Sequence, residues 1–208
     1  MRLHTRVIAL AAVLLLSTAA QGTDYERIET KPPLEKIEAY LGLLDAGKDS
    51  AEILFRLGNA YHDADMIEEA LDGYRRSLAA GGDFRVFVNL TYVLEKEGRR
   101  EEADAAYRER IRAHPDDAVL YAHYGDFLSG DEDEKRAVSG AMEAYRTALA
   151  LDDRCLEAHF GLGVLFVKTG IFREAVREWE RVMALSPQHR LANESRKNID
   201  RVRAEQGR

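Results

Sequence analysis

The chain has 208 residues, 46% of them hydrophobic and 32% charged, which is enough apolar mass for a folded core. Its formal charge of −7 argues against nucleic acid or anionic lipid as a partner, because backbone phosphates demand clustered Lys and Arg. A single cysteine, Cys155, excludes an internal disulfide framework.

Arg2, His4 and Arg6 make a short basic region, followed by an unbroken apolar run of ten residues from Val7 to Leu16. Small residues Ser17, Thr18, Ala19 and Ala20 come next. This layout predicts a secretory signal peptide over residues 1–20, cleaved near Ala19 or Ala20. The run is shorter than the roughly 20 residues that a membrane-spanning helix needs, which favours a cleaved signal over the alternative of an uncleaved anchor. No cysteine stands at the end of the run, which rules out a lipid attached there. Removing residues 1–20 deletes Arg2 and Arg6 and no acid, so the formal charge moves from −7 to −9. A periplasmic or secreted location is expected. After a linker over 21–33, residues 34–50 read as a capping helix or half-repeat. Leu34, Ile37, Leu41 and Leu44 form its stripe, Pro32 and Pro33 open it, and Gly47 punctuates its end.

From there a period takes over. Ala70 with Tyr74, Ala103 with Tyr107, Ala141 with Tyr145 and Ala175 with Trp179 each place an aromatic four residues after a small residue. Successive alanines are 33, 38 and 34 residues apart. Upstream of each alanine a second set recurs: Leu54, Leu57, Gly58 and Tyr61 in the first unit, then Phe87, Leu90, Thr91 and Leu94. The third unit has Tyr121, Tyr124, Gly125 and Leu128, and the fourth His159, Leu162, Gly163 and Phe166. Pro115 and Pro187 fall where second helices should stop. The predicted units are 51–83, 84–117, 118–155 with a four-residue insertion, and 156–189. A polar capping helix over 190–208 carries the stripe Leu191, Ser195, Ile199 and Val202.

This pattern resembles the tetratricopeptide repeat, a helix–turn–helix unit of about 34 residues. The resemblance covers roughly residues 51 to 189. It implies an all-α, right-handed α-solenoid of helical hairpins with terminal caps, in which small residues let paired helices approach and aromatics fill the space between units.

Little else carries chemistry. The histidines are spread over different units, and no pair has metal-helix spacing with a matching third ligand, so no metal or cofactor is expected. His159 occupies a bulky first-helix position and reads as a packed core residue. The acidic run Asp131–Glu134 lacks the alternating ligands and terminal glutamate of a calcium loop. Cys155 reads as structural. An enzyme is not expected, nor a small-molecule substrate.

Function should therefore lie on the first helices, which line the inner wall of such a solenoid. Candidate groove residues are Phe55, Asn59, Val88, Asn89, Tyr92, Asp126, Phe160 and Val164, with Phe55, Tyr92 and Phe160 as aromatic anchors. Some family members clamp a peptide's terminal carboxylate with lysines, an arginine and two asparagines. Asn59 and Asn89 stand at the asparagine places, but Phe55, Val119 and His123 stand where the cations belong. A carboxylate clamp is thus not supported, since its charge-assisted bonds are missing. The four-residue insertion between Leu128 and Ala141 is expected to project an acidic, mobile loop from the third unit, and neutral drift in length is the reading preferred over a functional one. The reading is an exported scaffold of the bacterial cell envelope that binds a helix or extended peptide of an envelope protein in its groove. Any membrane association would come through partners or an uncleaved N-terminus. The alternative is an oligomerising component, or an accessory regulatory subunit of an envelope complex, with no groove function.

Overall fold

The computed structural model describes residues 25–48 and 50–206. The signal-peptide expectation over 1–20 lies outside them. Helices follow in the order α1 (helical residues 25–29), α2 Pro33–Asp45, α3 Ala51–Asp63, α4 Ile67–Ala79, α5 Phe84–Lys96 and α6 Arg100–Ala113. They continue as α7 Ala118–Leu128, α8 Glu134–Leu151, α9 Leu156–Lys168, α10 Phe172–Leu185 and α11 Arg190–Gln206. Among the described residues there is no strand. This is the all-α hairpin-repeat class that the period predicts. The chain divides into two compact units, the boundary falling between Ala103 and Asp104 inside α6.

Local chemistry sets the helix ends. Ser50, Asp83, Asp117 and Asp133 cap α3, α5, α7 and α8, each side chain accepting a bond from a first-turn backbone N–H. Three hairpins turn through the same six-residue bond, Met66 N to Tyr61 O, Arg99 N to Leu94 O and Ile171 N to Phe166 O, at 2.7–2.9 Å. That turn needs a left-handed residue. Gly98 and Gly170 supply it, and in the first hairpin Asp65 does so at φ 61°.

The third hairpin departs from this scheme, and the expectation of a mobile acidic loop is corrected there. Helix α8 begins seven residues before Ala141, whereas α4, α6 and α10 begin three residues before Ala70, Ala103 and Ala175. The four extra residues become one added turn of helix. Asp133 caps it, and Arg136 reaches Asp131 at 3.2 Å. Ala137, on the added turn, is buried, so packing rather than charge claimed the insertion.

In the first unit, the core gathers Ile37 and Tyr40 of α2 against Ile53, Leu57 and Ala60 of α3. The segment expected as a linker also belongs to it. Ile28 is buried, and Glu29 accepts bonds from Tyr40 Oη (2.7 Å) and Arg56 Nη1 (2.9 Å) and pairs with Lys36 at 3.0 Å. Burial alone would raise the Glu29 carboxyl, but these donors together hold it below the ordinary carboxylate value. One helical turn is too short for periodicity to betray.

Close approach decides the hairpin crossings. Ala70, Ala103, Ala141 and Ala175 are fully buried. A methyl added at Gly58 would lie 2.8 Å from the Tyr74 ring, and one at Gly125 2.6 Å from the Tyr145 ring. At Gly163 it would collide with the Trp179 indole. In the second unit Tyr145 also lies against Gly161 of the next hairpin, joining α7–α8 to α9. Helix α11 closes this unit by packing Ile199 and Val202 against Ala175 and Trp179.

His159, 5% exposed, sits in the fourth hairpin between two acceptors. Nδ1 faces Glu178 Oε2 at 2.6 Å and Nε2 faces the Asp153 carbonyl at 3.0 Å, so the doubly protonated ring satisfies both. Burial opposes the imidazolium, and so does the charge of Arg181. The bonds to Glu178 and Asp153 outweigh them and raise the pKa above 6.5. Cys155 is buried near the Ala118 carbonyl, and burial pushes its thiol up to about 11, the setting of an inert residue.

Two measurements check this packing. Gly125→Ala should destabilise by about 1–3 kcal/mol in urea unfolding followed by circular dichroism, because the tyrosine ring must move. Gly42→Ala, in α2 with open space around it, should stabilise by about 0.4–1 kcal/mol. Equal effects would mean that the crossings are not tight. For His159 the folded-state pKa is raised, so its contribution is complete below pH 6.5 and disappears as pH climbs through the higher folded value. The stability gap between wild type and His159→Gln should therefore shrink as pH rises above that point, and a pH-independent gap would refute the paired imidazolium.

Candidate protein-binding faces

In the first unit, α3 and α5 lie side by side as the first helices of successive hairpins, and their periodicity brings Asn59 and Asn89 together. Asn89 Nδ2 donates to Asn59 Oδ1 at 2.9 Å, and Tyr74 Oη donates to the same oxygen at 2.9 Å. The shared acceptor is thereby filled. Asn59 Nδ2 and Asn89 Oδ1 have no hydrogen-bond partner among the described residues, so the pair keeps one amide donor and one acceptor unused. Burial is the main reason that the Tyr74 phenol is pushed up to about 12, so it stays a neutral donor. These residues line a recess of about 360 Å³ with Glu29, His62, Asp63 and Tyr92. Tyr92 is 50% exposed at its edge, with His62 edge-on at 6.4 Å and the Lys96 ammonium 5.6 Å from the ring centre.

The other candidates of this unit fare differently. Phe55 is only 9% exposed, tilted against Tyr74 at 6.1 Å, with the Arg85 guanidinium 5.5 Å from its ring centre. It is a packed residue, and its role as an open anchor is withdrawn. Val88 is half-buried. Tyr92 is the aromatic that this face presents.

In the second unit, α7, α9 and α11 enclose a recess of about 290 Å³. Asp126, Phe160 and Val164 all line it, with Val164 36% exposed and Phe160 half-buried. Ala122, one turn before Asp126, is fully buried and contributes only packing. Asp126 accepts a bond from Tyr145 Oη at 2.7 Å. The protein around it raises the Asp126 carboxyl above its ordinary value, while Tyr145 and His123 pull it down and Glu157 pushes it up. Burial and the charge of Asp126 both raise the Tyr145 phenol, which stays protonated.

Sequence reasoning missed part of this lining. Glu157, Lys168, Arg190 and Glu194 reach the recess, and the Tyr145 hydroxyl completes its floor. Tyr145 could have been singled out as a phenol where the fourth unit has an indole. Arg190 and Glu194 carried no signal, because α11 reads as a solvated cap until it folds back beside α9.

A family model for the tetratricopeptide repeat matches residues 131–190. The protein O-mannosyl-transferase TMTC3 of Homo sapiens is 30% identical over 153 residues, covering 65% of this chain and 16% of that protein. Its Mus musculus counterpart is 31% identical over 114 residues, covering 54% and 12%. The chain thus spans a small fraction of these relatives. Among solved structures, a tetratricopeptide repeat protein from Parabacteroides merdae superposes with a TM-score of 0.62 at 15% identity, covering 88% of this chain and 72% of that one. MamA from Desulfovibrio magneticus gives 0.57 at 21%, covering 83% and 96%. YrrB gives 0.53 at 19%, covering 86% and 88%. At these identities the likeness is one of fold. Residues 131–190 thus match the tetratricopeptide repeat, and the same spacing runs from residue 51 onward in a chain that has the fold of tetratricopeptide-repeat structures.

Proposed function

We propose that the chain is an exported, non-catalytic scaffold of the bacterial cell envelope, holding an extended peptide or helix of a partner protein on its first-helix faces. The observation that carries this reading is the Asn59–Asn89 pair. It keeps one side-chain amide donor and one acceptor unused beside the exposed Tyr92 ring, the groups a peptide backbone can bond. A second apolar element, Val164 with Phe160, offers itself in the other unit. YrrB, described as a tetratricopeptide protein with an unusual peptide-binding site, supports peptide binding on this fold. The transferase activity named for the mammalian relatives is not carried over, because the shared stretch is 16% or less of their length. Export rests on the basic region, apolar run and small residues of positions 1–20.

A photo-crosslinking residue at Tyr92 or Val164 should capture a partner in the native cell, while one at Arg146, on the exposed face of a second helix, should not. The double variant Tyr92→Asp with Val164→Asp should fold normally and lose about tenfold or more of partner recovery. Undiminished recovery, or equal crosslinking from Arg146, would remove the scaffold reading. Mass spectrometry of the purified protein should find a mature N-terminus at Ala20 or Gln21, and a retained Met1 in the soluble fraction would count against export.

A further inference from the structure

The second unit's recess carries an unbalanced charge. Of its three carboxylates, only Glu194 is neutralised, by Arg190 Nη1 at 2.6 Å. Asp126 takes its bond from a neutral phenol, and neither Asp126 nor Glu157 forms an ion pair within 4.0 Å among the described residues. Glu157 is close enough for its charge to act on Asp126, and half-buried. The remaining cation of the lining, the Lys168 ammonium, donates to the Ser129 carbonyl at 3.2 Å instead of to a carboxylate. His123 also lines the recess, and its charge favours the Asp126 carboxylate. Two neighbouring carboxylates therefore share a concave site with the ring of Phe160 and the side chain of Val164.

Size and shape narrow the occupant. About 290 Å³ sits just below the roughly 300–1,000 Å³ of small-molecule sites, so it suits one long side chain better than a cofactor. A planar, weakly hydrated cation fits two carboxylates and an aromatic face better than a compact ammonium does. We infer that this recess takes the guanidinium of an arginine from an extended segment of the partner protein. Asp126 and Glu157 accept its N–H groups, and Phe160 lies along its stem. The inference deepens the peptide-binding reading and rests on it.

Two short peptides separate the charge from the shape: acetyl-Gly-Ser-Arg-Ser-Gly-amide and the same peptide with citrulline, the neutral isostere of arginine. Titrated into methyl-labelled protein, the arginine peptide should shift the Val164 resonances and bind about tenfold more tightly than the citrulline peptide. In the Asp126→Asn, Glu157→Gln variant that preference should vanish while the fold, read by circular dichroism, is unchanged. Equal binding of the two peptides, or no Val164 shift at about 10 mM arginine peptide, overturns the assignment. If crosslinking from Val164 still captures a partner in that case, the arginine assignment fails alone. If it does not, peptide binding at this face fails with it.

Discussion

The contact of a glycine with an aromatic ring at three of the hairpin crossings is the constraint on which the rest of this molecule depends. A ring that packs on a glycine Cα brings two helix backbones closer than any side-chain-to-side-chain contact would allow, and interiors at crystal-like density do not forgive an added methyl there. Tyr74 on Gly58, Tyr145 on Gly125 and Trp179 on Gly163 repeat this solution. Because each ring is locked, its polar end is locked too. The Tyr74 hydroxyl is aimed at Asn59, the Tyr145 hydroxyl at Asp126 and the Trp179 N–H at the Phe160 carbonyl. Packing thus delivers three aimed donors to the first helices, which are the elements that carry the candidate faces.

That coupling explains why the two faces differ although the hairpins are alike. In the first unit the donor meets an asparagine pair and makes a neutral hydrogen-bonding surface. In the second the donor meets Asp126, whose neighbour Glu157 is also an acid, and makes a surface short of positive charge. A phenol can hold a carboxylate in place without neutralising it, so the field remains available to a ligand. The same scaffold geometry therefore offers different chemistry one repeat after another, with the choice made by residues that do not hold the fold.

Departures from the repeat follow the same physics. The added turn of α8 survives because Ala137 finds a buried place along the helix, so extra chain extended an existing element. Residues 25–29 adhere to the first unit through Ile28 and the Glu29 network, although nothing in their spacing announces a helix. His159 takes a bulky packing position and fills it with an ion pair instead of a ring contact, tying α9 to α10 through Glu178.

The helical class, the hairpin period, the fully buried alanines and the positions of Asn59, Asn89, Tyr92, Asp126 and Val164 on first helices were legible in the chain, because each follows from residue spacing of 3.6 per turn and a repeat of about 34. Spacing could not say that Phe55 turns inward while Tyr92 stays open, since both fall on the inner stripe of a first helix and only neighbouring bulk decides between them. Nor could it bring Glu157 beside Asp126, or Arg190 to Glu194 at the edge of the same recess. Those residues lie up to 68 positions apart, and their charges sum into one field only after three helices have been set side by side. The local code is periodic and therefore readable. Electrostatics across a concave surface depends on distances that tertiary packing alone creates.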